Sequence, residues 1–169
     1  MTHKTTLIVR GGGDLASGVI HRLYKCGYQV LVLECAKPSA IRRRVSFGEA
    51  VYDGTSRVEG VTGRLIKDIS ECRKVWDEKE IPILVDENAD AVSELKPDAL
   101  IDAILAKKNL GTTRMMAPLT IGLGPGFTAR VDVDYVVETQ RGHNLARVIE
   151  KGTAAPNTGI PGMIAGYGK

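Results

Sequence analysis

A mostly parallel α/β sheet, wound with helices on both faces, is the fold this sequence predicts. Three observations carry it. Short apolar runs alternate with helical patterns from residue 6 to residue 105. The runs at residues 7–9 and 30–33 are continuously apolar, and those at 81–85 and 99–105 are nearly so, as in strands buried on both sides. The first run opens onto three consecutive glycines and then a helical period, RGGGDLASGVIHRL.

The elements follow in order. After the strand at 7–9, Asp14 is positioned to cap a helix. Leu15, Val19 and Leu23, with Ala16, Ile20 and Tyr24 beside them, give that helix a broad buried stripe. Gly27 ends it, and the strand at 30–33 stops on Glu34. Pro38 and the run Arg42, Arg43, Arg44 mark a loop, followed by a short helix near 46–52. Residues 58–66 read as one strand interrupted by Gly60 and Gly63, and residues 68–78 as a helix turning Ile69, Cys72, Val75 and Trp76 inward. A strand at 81–85 ends on Asp86, a helix spans 89–95 before Pro97, and a strand spans 99–105. Glycine and proline become frequent in the last third, with strands expected at 119–123, 135–139 and 146–150. The organisation expected is a nucleotide-binding unit over residues 1–115. An irregular Gly/Pro-rich β extension over 116–169 packs on its sheet edge and leads towards a further segment.

Bulk properties narrow the classes. At 169 residues, 43% hydrophobic and 25% charged, the chain is long enough for a real core and has an ordinary globular composition. A net charge of +3 suits a small anionic ligand and is too weak to argue for nucleic acid. No apolar run reaches the roughly 18 residues of a membrane helix, and the N-terminal run is too short for a secretory signal. Cys26, Cys35 and Cys72 are odd in number and lack CxxC spacing, so neither a disulfide framework nor a structural zinc site is expected. The expectation is a cytoplasmic protein, without membrane or nucleic-acid partners, kept reduced.

Gly11, Gly13 and Ala16 satisfy G-x-G-x-x-G/A directly between strand and helix. The first glycine makes a turn that no side chain tolerates, the second lets backbone approach a pyrophosphate, and the small third residue packs helix on strand. Gly12, Asp14 and Leu15 complete the turn, whose helix N-terminus offers unpaired amides to phosphate. Glu34 lies about 20 positions beyond the glycines, where a ribose-hydroxyl acceptor is expected, and a carboxylate there favours NAD over NADP. This constellation makes the fold Rossmann-like; a glycine-rich packing turn without ligand is the alternative.

Other candidates are less specific. Arg42 and Arg43, with Arg44, suit a phosphate, although such a charge run is more often a solvated face. Asp86 and Asp102 sit at the carboxyl ends of strands, where ligands bind and where helix caps also occur. Cys35 adjoins Glu34, while Cys26 and Cys72 read as core. Lys107, Lys108, Asn109 and Thr112 form a polar patch, and Gly122, Gly124, Pro125 and Gly126 a second glycine loop. Arg141, Gly142 and His143 follow the strand holding Glu138 and suit anion binding or proton transfer. His3, His21 and His143 are too scattered for a metal site.

Taken together, the blocks IVRGGGDLASGVIHRL, PSAIRRRVSFGEAVYDG, VEGV, DALIDAILAKKNLGT, IGLGPGF and VVETQRGHNLARVIEKGTAAPNTGIPG resemble the accessory proteins of selenium-dependent molybdenum hydroxylases. That family is distantly similar to the xanthine dehydrogenase accessory proteins, whose Rossmann domain accompanies insertion of the molybdenum cofactor. The resemblance implies a maturation factor acting on a molybdenum hydroxylase apo-enzyme. The ligand implied is NAD or molybdopterin dinucleotide on Gly11, Gly12, Gly13 and Asp14. It places the family's arginine pair within Arg42–Arg44 and its Arg-Gly-His block on Arg141, Gly142 and His143. Family members continue past the Asn-Thr-Gly-Ile-Pro-Gly block, whereas this sequence stops at Lys169, as a short member or a fragment. A small NAD-dependent oxidoreductase is the rival reading, against which no Tyr-x-x-x-Lys or His–Asp pairing stands out. A nucleotide-binding module without chemistry is the third.

Overall fold

Alternate residues of the central strands point to opposite faces, and both sets are apolar, so the sheet needs cover on each side. The computed structural model, which describes residues 4–157, shows how that cover is built. The chain runs β1 (Thr6–Arg10), α1 (Asp14–Lys25), β2 (Gln29–Glu34), 3-10 turns at Arg43–Val45 and Phe47–Glu49, α2 (Ala50–Asp53), β3 (Thr55–Val58) and β4 (Val61–Ile66). A 3-10 turn at Ile69–Glu71 leads into α3 (Cys72–Asp77), then β5 (Ile81–Val85), α4 (Ala91–Leu95) and β6 (Ala99–Asp102). A 3-10 turn at Arg114–Met116 precedes β7 (Leu119–Leu123), β8 (Thr128–Ala129), β9 (Tyr135–Val137), β10 (Val148–Ile149) and β11 (Gly152–Thr153).

Among the described residues the main sheet has nine strands in the order β10-β9-β7-β6-β1-β2-β5-β4-β3. Every neighbouring pair is parallel except β3 with β4 and β9 with β10. The expected mostly parallel α/β sheet is therefore present, with antiparallel strands at both edges. β8 and β11 pair separately as a small antiparallel ribbon.

On one face Val9, Val32, Ile83 and Ile101 pack with Ala16 and Ile20 of α1 and with Phe47 and Ala50. On the other, Ile8, Leu31, Leu33 and Leu100 pack with Cys72 and Val75 of α3 and Val92 of α4. Each large side chain so buried contributes roughly 1.5–3 kcal/mol. Phe127, Ala129, Val133, Val136 and Ala154 form a third, smaller cluster under the ribbon.

Four expectations are corrected. Residues 58–66 are not one strand. Glu59 (φ 46°) and Gly60 (φ 81°) turn the chain tightly, and β3 pairs antiparallel with β4. Asp14 does not cap α1; Gly13 is the N-cap residue, and no side chain caps the helix. Cys26 is exposed, because it lies just past the last turn of α1 rather than on its buried stripe. The last third does more than pack on the sheet edge, since β7, β9 and β10 extend the sheet itself. His3 and the Gly/Pro-rich stretch 158–169, with most of the Asn-Thr-Gly-Ile-Pro-Gly block, lie outside the described residues.

Candidate functional site

β1, β2, β5, β6, β7 and β9 run in one direction, so the loops that follow them share one rim of the sheet. Strand order reverses about β1: β2 lies on one side and β6 on the other. The carboxyl ends at such a reversal leave a crevice in open α/β sheets.

At this reversal the consecutive glycines do different work. Gly11 has φ +93°, and a β-carbon on it would come within 3.0 Å of the Ala103 carbonyl oxygen. Its N–H donates to the Leu33 carbonyl at 2.8 Å. Gly12 donates to Glu34 Oε2 at 2.7 Å. Its carbonyl accepts from Gly48 N at 2.8 Å, Ser46 Oγ at 2.7 Å and Ser17 Oγ at 3.2 Å. A β-carbon there would lie 2.9 Å from Gly48 N. The first two glycines thus admit the protein's own backbone. Gly13 alone of the three faces open space, with nothing within 4 Å of where a β-carbon would be. Among the described residues, no protein acceptor takes the amides of Gly13, Asp14, Leu15 or Ala16. An unpaired first turn of this kind carries partial positive charge.

Two further candidates border the turn. Glu34 accepts from Gly12 N and, through Oε1, from Cys35 N at 2.8 Å. A carboxylate has about four acceptor positions, so two remain for a ligand hydroxyl. Arg42 Nε donates to Asp14 Oδ2 at 2.5 Å, which holds a guanidinium beside the mouth of α1. Arg43 instead pairs with Glu49 and lies 5.3 Å over the Tyr52 ring. Its hydrogen bond holds the Glu49 carboxyl below the usual glutamate range. Arg44 is exposed.

The remaining candidates divide along the rim. Asp86 accepts from Asp90 N at 3.1 Å and Ala91 N at 2.9 Å, so its carboxylate is taken up by the amides that open α4, whose N-cap residue is Asp90. Asp102 is buried and accepts from Thr112 Oγ1 at 2.6 Å and Ile104 N at 3.1 Å. Its partner was not legible as a site residue. Arg10, at the end of β1, is buried beside it, with nitrogen to oxygen at 3.7 Å. Arg10 also donates to Thr112 Oγ1 at 2.7 Å and to the carbonyls of Glu87 at 2.9 Å and Leu110 at 3.3 Å. A single arginine therefore ties together the loops that follow β5 and β6. The available signal was a cation closing an apolar strand, a position that demands a partner.

Lys107 and Lys108 are exposed, and the Lys108 backbone lies 2.7 Å from where a β-carbon on Gly126 would be. Gly124 (φ +77°) sits against Thr139. Glu138 is buried and accepts from Gln140 N at 2.8 Å and Ala155 N at 2.7 Å, anchoring the start of the last segment. Arg141 and His143 are exposed on the loop after β9. Burial raises the Cys35 thiol above its ordinary value, aided by Glu34 and Glu87, which disfavours a reactive thiolate beside the turn.

No family model and no solved structure matches the chain. Over 161 residues, 95% of its length, it is 52% identical to the uncharacterized protein YqeB of Escherichia coli (strain K12). That stretch makes up 30% of YqeB, so the chain spans less than a third of this relative. No helix among the described residues is long and apolar enough to cross a membrane.

Proposed function

We propose that the chain is a nucleotide-binding accessory protein serving the maturation of a molybdenum hydroxylase. It holds a dinucleotide-type ligand, NAD or molybdopterin dinucleotide, at the turn between β1 and α1. The observation that carries this reading is the set of four consecutive unpaired amides, Gly13 to Ala16, opening onto free space at Gly13. Two features support it. With the β3–β4 hairpin and β10 set aside, the remaining strands follow the succession β5-β2-β1-β6-β7-β9, which is compatible with the 3-2-1-4-5-6 order of a Rossmann-like sheet. Arg42 adds a guanidinium to the mouth of α1, and Glu34 keeps acceptor capacity for a ribose.

The accessory role rests on the sequence resemblance, and the pyrophosphate common to both ligands is what the turn would recognise. Mass spectrometry of whatever small molecule leaves the purified protein on denaturation tests the ligand directly. Calorimetric titration with NAD, NADP, ATP and a molybdopterin nucleotide should give heat with at least one, and Gly13→Val should abolish it by blocking backbone approach. Silence with all four rejects the reading. Co-purification with a molybdenum hydroxylase supports the accessory role, whereas turnover of NADH with a small carbonyl would transfer the assignment to an oxidoreductase.

A further inference from the structure

The two faces of the sheet are not covered equally. On the face of Leu100, cover continues outward to β9: Thr120 and Val136 are buried, with Phe127 and Ala154 packed in the cluster above them. On the α1 face it fades across the same strands. Ala99 and Ile101 of β6 are buried, but Leu119, level with Ala99 on β7, is 37% exposed. Leu123, at the far end of β7, is buried; Ile121, Val137 and Tyr135, whose ring lies under Arg130, are half-buried; and Val148 of β10, level with Val137, is 56% exposed. The main sheet contacts of α1, α2 and α3 fall on β2 to β5, and α4 lies with Leu100 on the other face.

The side of α1 that borders this thinly covered row is also apolar. Ser17 accepts from Phe47 N and Tyr24 donates to the Lys79 carbonyl, so both mark the side of α1 towards α2 and β5. At about 100° per residue, Leu15 and Val19 lie on the opposite side, towards β6, and Leu15 is 54% exposed. The result is a trough with an apolar floor on β7, β9 and β10 and an apolar wall on α1. Parallel strands that are apolar on both faces are normally covered on both, and helices pack about 8–10 Å apart. A helix laid beside α1 satisfies both conditions. Exposed Arg22, on the same side of α1, favours acidic residues along that helix's polar edge.

We propose that this trough is the docking surface for an amphipathic α-helix supplied by polypeptide outside this chain, its source in YqeB being the part beyond the matched stretch. More than two thirds of YqeB lies outside that stretch, which is ample chain to supply it. The inference does not depend on the ligand reading.

Hydroxyl-radical footprinting of this chain and of full-length YqeB, read by mass spectrometry, tests it. Peptides containing Leu119, Tyr135 and Val148 should be readily oxidised here. The aligned peptides of YqeB should be oxidised about fivefold less, as expected when an exposed apolar patch is an interface. Equal oxidation in the two proteins overturns the proposal. So does protection in this chain that disappears on dilution, because a second copy would then be the occupant. Val148→Asp should leave the unfolding midpoint of this chain unchanged, while the aligned substitution should lower that of YqeB; a YqeB midpoint that does not move also overturns it.

Discussion

The glycines of the first turn show how one residue type can serve opposite ends. Gly12 is small because Gly48 presses on it, and Gly13 is small where nothing presses at all. Gly12→Ala should therefore destabilise the fold by about 1–3 kcal/mol through overpacking, measured by urea unfolding. Gly13 has φ −64° and ψ 179°, which any residue adopts, so Gly13→Ala should leave stability nearly unchanged. Equal losses at the two positions would contradict this division of labour. The cysteines are graded by their surroundings in the same way. Burial pushes the Cys72 thiol up to about 12, Cys35 is raised less, and Cys26 is exposed. A thiol-specific disulfide reagent should label Cys26 first in the native protein and Cys72 only on unfolding; peptide mapping checks the order.

Elements with their own periodic signal were legible from the sequence, and elements made by distant partners were not. β1, α1, β2 and β5 lie where apolar runs and the helical period placed them. The strand expected to 105 stops at Asp102, because Ala103 and Ile104 are occupied in packing against Gly11. The β3–β4 hairpin was hidden because its turn begins with Glu59, a residue with little preference for positive φ. At the candidate site, the glycine motif and Glu34 were readable as a local pattern. The Arg10–Asp102 pair was not, since the two are 92 positions apart and meet only through strand register. Asp134, at the entrance to β9, is a second long-range device. Burial pushes its carboxyl up, but the Thr120 amide and hydroxyl and Arg114 outweigh that and hold it below its ordinary value of 3.8. A carboxylate lowered by folding contributes stability above its unfolded value and loses it as pH falls through the folded one. The stability advantage of the native protein over Asp134→Asn should thus be full near neutrality and vanish on acidification below 3.8. Urea midpoints of both proteins across that range measure it, and a gap independent of pH would remove the charge from the account.

At the scale of the whole molecule, the sheet is two halves joined along β1 and β6. The half containing β2, β5 and β4 carries α1, α2 and α3, whereas the half containing β7, β9 and β10 is covered on one face by the Phe127 cluster and only thinly on the other, where Leu123 is buried but Leu119 and Val148 are exposed. Arg10 and Asp102 stand on the two strands at the seam, and Arg10 also holds carbonyls from the loops beyond β5 and β6. Removing one partner of a buried ion pair leaves the other charge stranded and costs about 3–5 kcal/mol. In Arg10→Met the stranded group is Asp102, on the seam strand that adjoins the less covered half, so that half should unfold first. Trp76 is the single tryptophan, and its indole N–H donates to the Val30 carbonyl at 3.0 Å, within the better-covered half. Its fluorescence therefore reports on that half alone, while far-ultraviolet circular dichroism reports on all the strands. In the native protein the two urea transitions should coincide. In Arg10→Met the dichroism transition should move to lower urea and precede the fluorescence transition. If the two transitions still coincide while both shift, the seam is no weaker than the rest of the sheet and Arg10 stabilises the domain as a whole.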